Sequence, residues 1–273
     1  MRTILNKLKS ITGVSFLEIM IGLGITSFIT VALFRLYITQ HHHYMVQDDI
    51  TDIQQNARAS IDQLARTIRM AGFDLPDGVA ALQAYNTNSD TIILTYRDDN
   101  CETNLSANMV SAASPIQCGS SVACFTAGQW VYVNLPDSGW GEWVQLSGVD
   151  PATNVLIHTS DPLSRAYPQT AVVMTMQEVK FYIDSTINQA NPSLMVQNKG
   201  QAPIVFADNI VDLQFQYKMK NGMTLDVPPL VDNVREVLIT LTGRSKNPNV
   251  EDVNNPYKFR TFHTAVSLRN LNS

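Results

Sequence analysis

VSFLEIMIGLGITSFITVALF, Val14 to Phe34, is the stretch that decides how this chain is built, and Glu18 is its only charge. A helix needs about 20 apolar residues to cross the hydrocarbon of a bilayer, and this run is long enough. Arg35 closes it, and Leu36-Tyr37-Ile38-Thr39-Gln40 continues it in weakly apolar form. Ahead of it, residues 1–13 carry Arg2, Lys7 and Lys9 and no acid. Basic residues on one flank keep that side in the cytoplasm and place the rest outside. A secretory signal has a shorter apolar core, with small residues after it at the cut. Here Arg35, Tyr37 and His41-His42-His43 follow, while the distinctive small residue, Gly13, stands before the run. Cleavage there removes the basic leader and keeps the membrane helix.

Further along, apolar residues recur at Ile50, Ile53, Ala57, Ile61, Leu64 and Ile68, the spacing of an amphipathic helix. Gly72 stands where a C-cap belongs, and no proline precedes Pro76. Val14 to Ala71 is therefore expected as one nearly continuous helix of roughly 87 Å. Its first half lies in lipid and its second half packs on a globular head. After Pro76, short alternating runs bounded by turn residues predict strands. They fall at Thr91–Tyr96, Trp130–Asn134, Trp143–Leu146, Val155–His158 and Thr170–Ile183, the last broken once. Leu194–Gln197, Leu213–Lys218, Val234–Thr242 and Thr261–Leu268 complete the set. Residues 98–128, rich in Ser, Ala and Asn, read as a loop, and Asn247 to Pro256 as another.

With 273 residues, 45% hydrophobic and 16% charged, the chain can bury a real core. Its formal charge of −5 becomes more negative without the leader, which argues against a nucleic-acid partner. Cys101, Cys118 and Cys124 match no zinc spacing. In an oxidising compartment two of the three are expected to pair and the odd one is left free or intermolecular, by a pairing the sequence does not choose.

Gly13-Val14-Ser15-Phe16-Leu17-Glu18 resembles the class III signal of type IV pilins and type II secretion pseudopilins. The resemblance implies that a prepilin peptidase cuts between Gly13 and Val14 and that the new N-terminus is methylated. Val14 stands where that family usually has Phe. Glu18 then falls at the fifth mature position, where it meets the α-amino group of a neighbouring subunit. A weaker resemblance links Leu64 to Phe73, Ala207 to Tyr217 and Val266 to Leu271 to minor pilins of the PilW type. The J-type pseudopilin shares that layout.

Little else carries chemistry. Neighbouring helix residues point about 100° apart, so His41-His42-His43 cannot readily converge on one metal ion. They belong with Tyr37 and Tyr44 at a membrane–water boundary. His158 and His263 read as ordinary core or surface histidines. Asp48-Asp49 and Asp98-Asp99 are adjacent pairs without the spacing of a calcium loop. Asp98 and Asp99 read first as solvated turn acids, and the resemblance to pseudopilins, some of which bind calcium, keeps them as a calcium candidate. Asp208 and Asp212 sit among strands. Trp130 and Trp143 read as core or cross-strand residues, and Trp140 as the exposed one, in a turn. No nucleophile–base, phosphate-loop or zinc-protease pattern occurs, so neither an enzyme nor a cofactor is expected.

The expected fold is α+β and pilin-like, a long N-terminal helix on an antiparallel β-sheet head with an inserted β subdomain. Residues 1–13 are the leader, 14–38 the transmembrane helix, 39–72 its amphipathic continuation and 73–273 the extracytoplasmic head. The expected function is that of a minor type IV pilin priming pilus assembly near the tip. It starts in the inner membrane with its head in the periplasm and moves to the pilus surface. Its expected partners are the prepilin peptidase, other minor and major pilins, the inner-membrane assembly platform and the membrane. The alternatives are a J-type secretion pseudopilin, or a tip adhesin or DNA-uptake receptor using residues 98–145.

Overall fold

The structure, a computed structural model, describes residues 13–158, 162–186, 191–248 and 254–271. The expected leader, apart from Gly13, lies outside them, as does part of the loop between Asn247 and Pro256. Two compact units divide the chain, Met1–Asp49 and Ile50–Ser273.

Helix α1 (Phe16–Met70) runs unbroken for 55 residues, slightly inside the expected bounds. Within the second unit its turns bury Ile53, Ala57, Leu64, Ala65, Ile68 and Ala71, the face that the periodicity marks. Gly72 ends it at φ +81°, the left-handed conformation that glycine adopts without a Cβ clash. The carbonyls left over at that end are capped from far away in sequence. Asn270 Nδ2 donates to Arg69 O at 3.1 Å and to Met70 O and Ala71 O at 3.4 Å.

The strands follow in order. β1 (Leu82–Tyr85) and β2 (Thr91–Tyr96) form a hairpin. The chain then makes β3 (Glu102–Asn104), β4 (Ile116–Gln117), β5 (Trp130–Leu135) and β6 (Trp140–Gln145). Next come β7 (Gly148–Asp150), β8 (Val155–Ile157) and β9 (Val172–Met174). β10 (Gln177–Asp184), β11 (Ser193–Asn198) and β12 (Ile204–Asp208) return to the first sheet, whose order is β1-β2-β10-β11-β12. β13 (Ile210–Met219), β14 (Thr224–Leu225), β15 (Val234–Arg244) and β16 (Phe259–Ser267) form a second, ordered β14-β13-β15-β16. Every ladder among the described residues is antiparallel.

Both sheets share one core with α1. Leu64 and Ile68 pack in it with Phe181 of β10 and Phe215 and Tyr217 of β13. Along β13, buried Leu213, Phe215, Tyr217 and Met219 alternate with more exposed residues, as one-face burial requires. The β1–β2 turn also seals a backbone edge of β13. Asp90 N donates to Leu213 O at 2.7 Å, Leu213 N to Ser89 Oγ at 3.0 Å and Phe215 N to Asp90 Oδ2 at 2.8 Å. Burial pushes the Asp90 carboxyl above its ordinary value, while the N–H groups of Phe215 and Thr87 pull the other way.

Tyr96 at the end of β2 pairs with Gln177 at the start of β10. Everything between them is thus an insertion hung from two adjacent strands. It holds two small sheets, β3-β9-β5-β6 and β4-β8-β7, around Leu105, Ile116, Val131, Leu146, Leu156 and Val173. Three expectations change here. Residues 98–128 are not a plain loop, because they form β3 and β4 and bury Leu105, Ile116, Val122 and Phe125. Trp140 opens β6 rather than lying in the turn, since the turn closes at Gly139. Residues 98–145 are no separable ligand loop, because β9 sits between β3 and β5.

The join between insertion and main head is tight. Arg97, nearly buried, pairs with Asp74 at 2.9 Å and Glu102 at 3.0 Å. Gly200, at φ +71°, lies so close to Trp130 that a Cβ there would stand 2.0 Å from the indole nitrogen.

Candidate functional site

The segment singled out by the sequence begins with Gly13, Val14 and Ser15, which precede α1. Ser15 O accepts the N–H of Ile19 at 3.1 Å, so the hydrogen-bond ladder starts there. Glu18 falls in the first turn. The unpaired N–H groups of a helix start favour a carboxylate there. Every residue from Gly13 to His41 is exposed, and the helix is long and apolar enough to cross a membrane.

Its threonine hydroxyls are satisfied within the helix. The hydroxyls of Thr26, Thr30 and Thr39 donate to Gly22 O, Thr26 O and Arg35 O at 2.7, 2.8 and 3.0 Å. Such bonds spare the hydroxyls an unpaired state in lipid. Where Gly22 and Gly24 lack a Cβ there is open space, so neither serves packing within this chain. Tyr37 and His41, one turn apart, stack with ring centroids 6.0 Å apart.

In the insertion, Cys101 and Cys124 are joined, with Cα atoms 5.9 Å apart, and Cys118 is free and buried. Among the described residues no three His, Cys, Asp or Glu side chains gather as metal ligands. Asp99 instead accepts hydrogen bonds from the Thr175 hydroxyl and the Cys101 N–H, and Asp98 from Gln177 Nε2 at 3.3 Å. Asp208 accepts from Ser193 Oγ at 2.9 Å and Asp212 from Gln214 Nε2 at 2.9 Å.

The tryptophans divide. Trp143 meets Tyr132 edge-on at 5.5 Å, the cross-strand pair expected of a sheet. Trp140 is 41% exposed, with the Arg165 guanidinium 3.6 Å above its ring. Beside it, Glu142 accepts from Ser164 N at 2.9 Å and from the Tyr167 hydroxyl at 2.9 Å. Burial first, and then Glu142, push the Tyr167 hydroxyl far above its ordinary value.

The chain matches no family model and no curated protein. Its architecture, a long apolar N-terminal helix followed by a β-sheet head, is compatible with a pilin-like fold. Two of the segments that suggested the PilW type meet in space. Leu64 to Phe73 forms the end of α1, and Val266 to Leu271 brings Asn270 onto it. Sequence reasoning quoted both segments but missed this cap. A single asparagine two hundred residues away gives no local signal.

Proposed function

We propose that this chain is a membrane-anchored, non-catalytic subunit of a pilin-like assembly, a minor pilin of the PilW type that helps prime the fibre. The observation that carries the reading is the character of α1. It is exposed and apolar from its start to His41, then continues unbroken until its turns are buried in a β head. A helix built this way buries its bare half in lipid or against like helices, and presents the head on one side of the membrane.

In this reading the prepilin peptidase cuts after Gly13, and Val14 becomes the methylated N-terminus. Glu18 then lies four residues from a positive α-amino group in its own chain, and can also face that of a neighbour. A carboxylate in an apolar setting is costly without a partner, so the pairing selects one axial register between packed helices. The head faces the periplasm before assembly and the outside afterwards. Other pilins and the inner-membrane platform are the partners.

The test is complementation with Gly13→Ala and Glu18→Ala, scored for leader length by mass spectrometry and for fibres by electron microscopy. The glycine variant is expected to keep its leader. The glutamate variant is expected to be cut normally but to support few fibres. Normal cutting of the Gly13→Ala protein removes the prepilin assignment.

A further inference from the structure

All three cysteines lie in the insertion, and the joined pair, Cys101 and Cys124, is the one furthest apart, with a separation of 23. Cys118 lies between them as a free thiol, 6% exposed. Only Gly119, Ser120, Ser121, Val122 and Ala123 separate it from Cys124, a segment without proline. The chance that two points of an unfolded chain meet falls as about the −3/2 power of the length between them. Cys118 therefore meets Cys124 about seven times as often as Cys101 does. With the Cys101–Cys118 contact included, roughly nine in ten first encounters involve Cys118. The thiol left over in the native protein is the one that oxidation of the unfolded chain engages first.

We infer that the insertion reaches its native disulfide by thiol–disulfide exchange, with Cys118 as the departing thiol, and that folding then buries this thiol. A disulfide-class oxidant first takes two electrons from Cys118 and Cys124 and joins them, with loss of both thiol protons. The Cys101 thiolate then attacks the Cys124 sulfur. The Cys101–Cys124 bond forms, the Cys118–Cys124 bond breaks, and the electron pair leaves on Cys118, which takes a proton from water.

The native core explains why exchange stops there. Cys118 N donates to Asn154 O at 2.9 Å, the residue bridges to Leu105, and its thiol donates to Ile116 O at 3.7 Å. Leu105, Ile116 and Val122 share its hydrophobic cluster. Burial pushes the thiol up to about 11, so little thiolate exists at neutral pH. Cys124, by contrast, is exposed, so the bond is open to outside thiols on one side while the internal one is withdrawn. The chain therefore needs disulfide isomerisation as well as oxidation on reaching an oxidising compartment.

The experiment uses the full chain, reduced and unfolded in guanidinium, then diluted into detergent with a glutathione redox buffer. Free thiols are blocked at intervals and disulfides are mapped by peptide mass spectrometry. About nine-tenths of the earliest protein disulfides are expected to contain Cys118 and to give way to Cys101–Cys124. Cys118→Ala, or Cys118→Ser should the alanine variant not fold, is expected to reach the native pair directly and several-fold sooner. A majority of Cys101–Cys124 among the earliest wild-type species overturns the inference. So does a folded variant whose time course matches wild type. The wild-type mapping decides the matter even where neither variant folds.

Discussion

The main head and the insertion solve the same problem with different means. The main head draws its core from α1 and from two sheets spread over most of the chain, joining Leu64 and Ile68 to Phe181 and Phe215. Among its described residues the insertion has no α-helix to cover its sheets, and its core comes from residues between Cys101 and Val173. A small module buries a smaller fraction of its surface, and cross-linking compensates. The disulfide falls accordingly in the insertion, closing a separation of 23 residues, a constraint of about 3 kcal/mol on the unfolded chain. Stability built on the long helix and stability built on a covalent loop need not fail together.

The strongest way to break that contrast is to open a cavity in each core. Phe181→Ala is expected to cost about 3–5 kcal/mol and Leu156→Ala about 2–5 kcal/mol. Hydrogen exchange read by mass spectrometry separates them. Phe181→Ala is expected to speed exchange in β10, β13 and β15 together. Leu156→Ala is expected to speed it in β4, β7 and β8 while β13 and β15 stay protected. Equal loss of protection everywhere in both variants means that the Arg97 and Trp130 contacts fuse the regions into one cooperative unit.

A smaller effect sharpens the contrast at the end of α1. Asn270→Ala removes the donor that caps Arg69, Met70 and Ala71, and is expected to cost about 1 kcal/mol. Faster exchange should be confined to the last turn of α1 and the Gly72–Asp74 turn, with the insertion unchanged. A variant as stable as wild type shows that water caps those carbonyls equally well.

The sequence was most legible where one period ran long. The steps from Ile50 to Ile68 gave the buried helix face, and the strand pattern gave β2 at its observed ends and the greater part of β13 and β15. Gly13 and Glu18 stood out because a lone small residue and a lone charge bracket the start of an apolar run. The insertion was harder because its core residues, Leu105, Ile116, Val122 and Phe125, are scattered among Ser and Ala without a period. Its short strands β3, β4 and β7 exist by virtue of tertiary pairing. β12 went unread because Ile204, Val205 and Phe206 are all exposed on an edge, so no inside–outside alternation marks them. Three cysteines allow three pairings, and only packing selects one. Nothing in the sequence marked Asp90, since its partner backbone lies more than a hundred residues on.

That aspartate gives the smallest prediction and one confined to the main head. Its carboxyl is raised from 3.8, chiefly by burial. Between 3.8 and its higher folded value, the folded state keeps a proton that the unfolded state has released. Stability from this group is therefore greatest below that window and falls as pH rises through it. Asp90→Asn has no such window, and its amide oxygen can still accept the N–H of Phe215. Wild type should therefore lose stability relative to Asp90→Asn as pH rises from about 4 towards neutrality, as read by denaturant midpoints. Exchange at β13 should follow the same pH trend in wild type, while exchange at β8 does not respond to this substitution. A wild-type-to-variant gap that stays flat over that range shows the carboxyl titrating alike in both states. Burial behind the β1–β2 turn would then be too shallow to desolvate it.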